Sequence, residues 1–491
     1  MASMDQIVST AYGKVRGRIG DGIARFLGIP FAAAPFGENR FREPRPAEPW
    51  EGVRDALEFG PTVPKAPYRP PLYDLLPEVT IPGEDCLNLN VWAPEGAEAL
   101  PVMVWIHGGA FRNGSGSVPV YDGSAFARDG VVCVTINYRL GVEGFAELPG
   151  APRNRGLLDQ IAALEWVRDN IAAFGGDPAR VTLFGESAGG MSVTTLLSLD
   201  LGLFQRAIAQ SGAGHILQEP EDALKITEEL ARRLGVEPTA EAFAEFTPER
   251  IIEVQAEVQA EIAALPDPGR WGRSTVQGGM PFMPVRGDLV QRRPIDAIRD
   301  GAGHDVPLLT GTTTDEFRLY LAPGGLTTML SPELVTGLLS TMGIEPSAAE
   351  TYHSNRPGAT PGDVMAAVVT DWFFRIPAYR LAEARPGGTW MYEFAWNSSN
   401  KDLPAPLKAC HALELGFTFD ALDRMAGAAM AGPGAPQPLA DEMHAAWVAF
   451  ATTGDPGWPA YDATRPVRVF DTVSSLVQDP RADERALWPD R

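Results

Sequence analysis

FGGDPARVTLFGESAGGMS, residues 174–192, is the stretch on which the fold turns. It runs from a Gly-Gly-Asp-Pro turn through the apolar run Val181–Phe184 into Gly185-Glu186-Ser187-Ala188-Gly189. Glycines two residues either side of Ser187 remove the Cβ clashes that would stop a chain folding back sharply where a strand passes into a helix. Such an elbow lifts a serine oxygen clear of the sheet. In a chain with 51 glycines the motif alone carries little weight, so its surroundings must agree. Before it, DQIAALEWVRDNIAAF (159–174) sets Ile161, Leu164, Val167 and Ile171 at helical spacing, and MSVTTLLSL after it continues as a helix. PVMVWIHGG (101–109) and VVCVTINYR (131–139) are apolar, β-branched and bounded by Gly or Pro, as buried parallel strands are. RAIAQSG (206–212) and DVPLLTGTTTDEF (305–317) read as further strands. Strands alternating with helices predict the doubly wound α/β class, a large, mostly parallel central sheet with helices on both faces.

The 491 residues allow one large domain, and strand signals throughout the chain belong to one sheet, so a single domain over 1–491 is expected. Two insertions stand out, one around 214–300 and another around 320–385. Within the first, Thr247 and Pro248 read as cap and first-turn residue of a helix with Ile251, Val254, Val258 and Ile262 on one face, a lid or rim. The Pro-rich segment 64–83 and the Ala/Gly/Pro-rich segment 426–440 read as long surface loops. A net charge of −22 works against phosphate backbones and anionic membrane surfaces, so neither nucleic acid nor membrane is expected as a partner. No basic region leads an apolar one at the N-terminus, which predicts a cytoplasmic protein; the first few residues read as an expression scar, leaving a removed leader open. Cys86, Cys133 and Cys410 are too few and scattered for a disulfide framework or a zinc site, and Cys133 reads as a core strand residue.

A serine nucleophile needs a base, a carboxylate to orient the base, and backbone donors for an oxyanion. His107-Gly108-Gly109-Ala110 follows a strand directly, and its small residues leave backbone N–H groups free to point into a common site with that of Ala188. The chain order that goes with this elbow is serine, acid, histidine. Of the histidines downstream, His353 lies in the polar stretch YHSNRPGATPG and His444 on what reads as an amphipathic helix surface, which leaves His411 as the better base. Asp315 and Glu316 close an apolar strand, and residue chemistry divides the acid's role evenly between them.

The chain resembles a bacterial member of the carboxylesterase type B family, the α/β-hydrolases related to cholinesterases. The likeness is carried by GKVRGRIGDGIARFLGIPFAAAPFGENRFREPRPAEPW (13–50), EDCLNLNVWAP (84–94), WIHGGAF (105–111), INYRLG (136–141) and the run 154–190. It continues through GLFQRAIAQSG, the DEF after TTT, CHALEL, and WVAFATTGDPGWPAY near the end. Carried over position by position, it implies Ser187 as nucleophile, Glu316 rather than Asp315 as acid, His411 as base, and Gly108, Gly109 and Ala188 as oxyanion donors. The implied activity is hydrolysis of neutral alkyl or aryl carboxylic esters through an acyl-serine, by a monomer with no metal or cofactor and a small-molecule ester as its partner. Phe111 is a candidate for the substrate wall. Amide, carbamate or aryl polyester-oligomer cleavage is the alternative for the same triad. Non-catalytic adhesion relatives have lost the serine or its partners, which this chain retains. Three residues depart from the family pattern, Phe317, Lys408 and Ala412 standing where glycines are usual. No cysteine precedes Cys86, so the loop that many animal relatives close with a disulfide from this motif is expected to be held by packing alone and to be more mobile.

Overall fold

In the parallel strands, alternate residues feed two different cores. Val102, Val104 and Ile106 pack with Leu157, Leu164, Val167 and Leu196 on one face, whereas Met103 and Trp105 pack with Phe126, Phe184, Phe419 and Trp447 on the other. A strand buried on both faces must be apolar along its whole length, which is why these segments stand out in the sequence. The structure, a computed structural model, describes residues 4–341, 344–345 and 347–488; the first three residues, at the start of the segment read as an expression scar, lie outside them. Its sheet has 13 strands among the described residues. They are β1 (Met4–Ser9), β2 (Lys14–Gly20), β3 (Ile23–Pro30), β4 (Val53–Asp55), β5 (Asn88–Pro94), β6 (Leu100–Ile106), β7 (Val132–Ile136), β8 (Gly176–Glu186), β9 (Arg206–Gln210), β10 (Leu308–Thr313), β11 (Thr389–Phe394), β12 (Pro466–Phe470) and β13 (Ser475–Gln478). The order is β1-β2-β3-β5-β7-β6-β8-β9-β10-β11-β12-β13, with β4 beside β2. From β7 to β12 every pairing is parallel, and antiparallel strands extend the sheet at both ends. This is the mostly parallel sheet of an α/β-hydrolase.

Register brings the loops together. Ile106 pairs with Gly185, Glu186 with Gln210, and Gln210 with Gly311. Since these strands run the same way, the loops after β6, β8, β9 and β10 leave one edge of the sheet side by side, where open α/β sheets form their ligand crevices. The helix Arg155–Asn170 starts earlier than the apolar spacing indicates. Asn154 takes a left-handed conformation there, its amide giving and receiving 2.7 Å hydrogen bonds with the backbone of Val285. The elbow helix is Ala188–Leu197.

Helix Pro248–Ala264 begins as expected, with Thr247 Oγ1 accepting from the Arg250 N–H and Ile251, Val254, Val258 and Ile262 buried. Residues 320–385 hold helices Pro361–Thr370 and Ile376–Glu383 and a satellite core around Leu339, Tyr352 and Val368. Three loop readings change. His353 sits in helix Ala348–Ser354. Segment 426–440 is largely helical, within Met425–Ala431 and Gln437–Thr453, and buries Met430 and Leu439; Ala is a strong helix former, and Gly432 and Pro433 only separate the two helices. Segment 64–83 is mainly irregular but turns inward, with Leu75 buried. Among the described residues no helix is long and apolar enough to cross a membrane.

Candidate active site

Ser187 stands at φ 58°, ψ −123°, a strained conformation for a side chain with a Cβ. The turn is locked from both sides, the Ser187 N–H donating to the Gln210 carbonyl at 2.9 Å and its own carbonyl accepting from the Met191 N–H at 2.8 Å. A Cβ on Gly185 would lie 2.6 Å from the Gly189 carbonyl carbon, and one on Gly189 would overlap the carbonyl oxygen of Ile106. Close approach of three backbone segments, more than φ, is therefore what demands the two glycines.

His411 is 3% exposed. Its Nδ1 lies 2.5 Å from Glu316 Oε2, and its backbone N–H donates to the Glu316 carbonyl at 3.2 Å. The other carboxylate oxygen, Oε1, accepts from Ser211 Oγ at 2.6 Å and the Thr313 N–H at 2.8 Å, so Glu316 is fixed by β9 and β10 before it meets the ring. Asp315, the alternative acid, has no such contact: burial pushes its carboxyl up against the opposing influence of Lys408 and Arg318. His444 is buried against Thr418 and Asp129, not set on a helix surface.

A contact that the sequence reading missed is at the other ring nitrogen. His411 Nε2 lies 3.0 Å from Glu186 Oε1, and no hydrogen bond among the described residues joins it to Ser187 Oγ. Burial pulls the imidazole down, but Glu186 and Glu316 outweigh it and hold it at about 9. Glu186 is itself pushed up to about 7, by burial and by Glu316, against the pull of His411. His411 thus stands in a row between two carboxylates, Glu316 at Nδ1 and Glu186 at Nε2, and its protonation is coupled to the charge of Glu186.

Gly108 and Gly109 follow β6 beside the elbow; a Cβ on Gly108 would sit 3.1 Å from that of Ser187. Among the described residues no hydrogen bond uses the N–H of Gly108 or Gly109, and Ala188 opens its helix, where N–H groups have no partner in their own helix. Ser187, His411, Gly108 and Gly109 all line one cavity of about 160 Å³. Tyr68, Leu72, Leu76, Tyr121, Leu319, Tyr320, Leu413 and Met430 supply most of its apolar and aromatic wall, and Glu78, Arg112 and Glu186 its charges. None of the lining comes from 214–300.

Phe111 is not part of the wall. Ala110 and Phe111 are both left-handed, at φ 53° and 57°, which turns the Phe111 ring fully into the core against Phe145, centroids 4.9 Å apart. Of the residues replacing glycines, Lys408 and Ala412 are held at φ 54° and 64°, while Phe317 lies at an ordinary −72°. The three cysteines are free and buried. Yet packing alone does not hold segment 64–83. Lys65 and Glu78, with side chains 1% and 4% exposed, pair at 3.6 Å; Lys65 also donates to the Val79 carbonyl, and Glu78 accepts from the Gly114 N–H at 3.1 Å. Asn113 adds a 2.7 Å hydrogen bond to the Ala66 carbonyl. Among the described residues no group of three or more His, Cys, Asp or Glu is disposed to hold a metal ion.

A model of the carboxylesterase family matches residues 4–473. The chain is 39% identical to the para-nitrobenzyl esterase of Bacillus subtilis (strain 168), covering 99% of each chain, and 36% identical to the phenmedipham hydrolase of Pseudarthrobacter oxydans, covering 96% of this chain and 97% of that one. A PNB esterase structure superposes with a TM-score of 0.84 at 36% identity, over 99% of this chain and 100% of that one. A carboxylesterase of Geobacillus stearothermophilus gives 0.83 at 38%, over 98% and 100%.

Proposed function

Since the chain belongs to the carboxylesterase family and is a serine carboxylesterase, we propose that Ser187 is its nucleophile, His411 its base, Glu316 the residue that holds the base, and the N–H groups of Gly108, Gly109 and Ala188 its oxyanion donors. Ser187 Oγ attacks the ester carbonyl carbon while its proton passes to His411 Nε2, and the carbonyl electrons move onto the oxygen facing the three N–H groups. Collapse expels the alcohol, which takes the proton from Nε2 and leaves an acyl-serine. Water then attacks with the same proton transfers, releasing the acid and restoring Ser187. Glu316 keeps the proton of the resting ring on Nδ1 and stabilises the imidazolium formed at each step. Glu186 holds Nε2 in the resting protein, so the base becomes available when that row loses a proton.

The observation that carries this reading is the pairing of the strained Ser187 elbow with the Glu316–His411 contact of 2.5 Å on one cavity. A fluorophosphonate reagent tests it: one equivalent should attach, mapped to Ser187 in the GESAGG peptide, with loss of esterase activity. Attachment elsewhere with loss of activity would refute it. The likeness to a phenmedipham hydrolase favours a second reading, amide or carbamate cleavage by the same residues; matched ester and carbamate substrates separate the two. A cytoplasmic monomer acting on small-molecule esters, with 320–385 giving Tyr320 to the rim of the cavity and the helices of 214–300 lying outside its lining, completes the reading.

A further inference from the structure

The fully buried arginines are all engaged. Arg139 and Arg375 grip Asp159 and Asp371, Arg318 binds Asp363 and the Pro406 carbonyl, and Arg155 and Arg385 donate to several carbonyls. Arg112, only half-buried, has no such partner. It lines the cavity with Ser187 and His411, yet among the described residues its guanidinium makes no hydrogen bond or ion pair, and lies only over the Tyr68 ring, 5.9 Å from the centroid. The turn that puts it there is the one that buries Phe111: two successive left-handed residues send that ring into the core and the next side chain toward the cavity.

A half-buried cation without a partner is an incomplete ion pair, since removal from water is offset only when a counter-charge meets it. Burial presses the Arg112 guanidinium below its ordinary pKa. The protein's own anions facing the cavity are committed, Glu78 to Lys65 and the Gly114 N–H, Glu186 to His411. The planar guanidinium fork matches a carboxylate in two parallel hydrogen bonds.

We propose that Arg112 is a specificity-determining residue for esters carrying a carboxylate away from the scissile bond: half-esters of dicarboxylic acids, or esters of hydroxy acids. This rests on Ser187 being the nucleophile of the same cavity. The net charge of −22 opposes such substrates at long range, but at physiological salt that field is screened beyond about 8 Å, whereas a contact inside the cavity is not.

The test is a set of ratios of kcat/KM, charged ester over its methyl ester. One arm puts the carboxylate on the acyl side, mono-4-nitrophenyl glutarate against methyl 4-nitrophenyl glutarate. The other puts it on the alcohol side, 4-acetoxybenzoate against methyl 4-acetoxybenzoate. In at least one arm Arg112→Met should lower the ratio about 10- to 100-fold, the range of a hydrogen bond to a charged group, and Arg112→Lys should restore part of it. Ratios unmoved by Arg112→Met in both arms would overturn the proposal and leave Arg112 as wall against Tyr68. Should that variant fail to fold, the wild-type ratio at about 0.5 M salt, where the long-range repulsion is screened, decides: it should be about one or higher in at least one arm, and a ratio below about 0.1 in both arms would overturn the proposal. The methyl esters report on Ser187 independently. If the wild type does not hydrolyse them, the site assignment fails and takes the role of Arg112 with it.

Discussion

Glu316→Gln separates orientation of the base from mere support of the fold. The carboxylate accepts from Ser211 Oγ (2.6 Å) and the Thr313 N–H (2.8 Å) through one oxygen and faces His411 Nδ1 (2.5 Å) with the other. Glutamine has the same shape but one acceptor oxygen and an NH2 group. If the oxygen keeps Ser211 and Thr313, the NH2 faces Nδ1, which must then accept, and the ring proton moves to Nε2, the atom that should take the serine proton. If the amide flips, the NH2 opposes the Thr313 N–H, and a buried donor is left unpaired at a cost of about 1–3 kcal/mol. The first arrangement avoids that penalty and is the one expected to dominate. A wrong tautomer lowers kcat about 10³- to 10⁴-fold, or about 4–5.5 kcal/mol of transition-state stabilisation, with little change in KM. The assay is steady-state hydrolysis of 4-nitrophenyl butyrate, with circular dichroism to show that the variant is folded. Asp315→Asn is the control, expected to keep kcat within about threefold because its carboxyl has no contact with the ring. A folded Glu316→Gln with kcat within tenfold of wild type, or a greater loss in Asp315→Asn, would refute the reasoning.

Below the acid limb of a pH–rate profile His411 is imidazolium and cannot accept the serine proton, so activity rises with pH as the row around it loses a proton. With His411 held at about 9 partly by the Glu186 charge 3.0 Å away, Glu186→Gln should move the limb of kcat/KM to lower pH by about one to three units; a limb that stays or moves up would contradict the contact. Lys65→Met leaves the Glu78 carboxylate buried without its cation, which should cost about 3–5 kcal/mol and expose segment 64–83 to proteolysis. An unchanged urea midpoint would show that the pair does not hold the segment. Because Cys86, Cys133 and Cys410 are free, reducing agent should leave activity and Tm as they are, and a fall in Tm would reveal a bridge.

The elbow and the parallel strands were legible because burial on both faces forces unbroken apolar runs, as in Val102–Ile106, and because three backbone segments crowd Gly185 and Gly189. Strands such as β1, exposed along most of its length, carry no such run and were not resolved. Tyr68 and Met430 were hidden in segments whose Pro, Gly and Ala content reads as surface, since composition does not report which way a loop turns. Phe111 was misplaced because its direction depends on two positive φ angles, at itself and at Ala110, that nothing in WIHGGAF announces. Residue chemistry left the acid open between Asp315 and Glu316, neighbours in sequence of which only Glu316 meets the ring. The contact of Glu186 with Nε2 depends on side-chain geometry between the end of β8 and a distant loop. Lys65–Glu78 follows the same rule: the missing cysteine was readable, the ion pair standing in its place was not.

The most direct measurement is the esterase activity of Ser187→Ala. Alanine keeps the elbow, since the glycines on either side and the backbone hydrogen bonds to Gln210 and Met191 are untouched. The variant should therefore show wild-type circular dichroism, no covalent uptake of fluorophosphonate, and kcat/KM for 4-nitrophenyl butyrate reduced about 10⁴- to 10⁶-fold. A folded Ser187→Ala retaining kcat/KM within tenfold of wild type would contradict the acyl-serine mechanism at this residue.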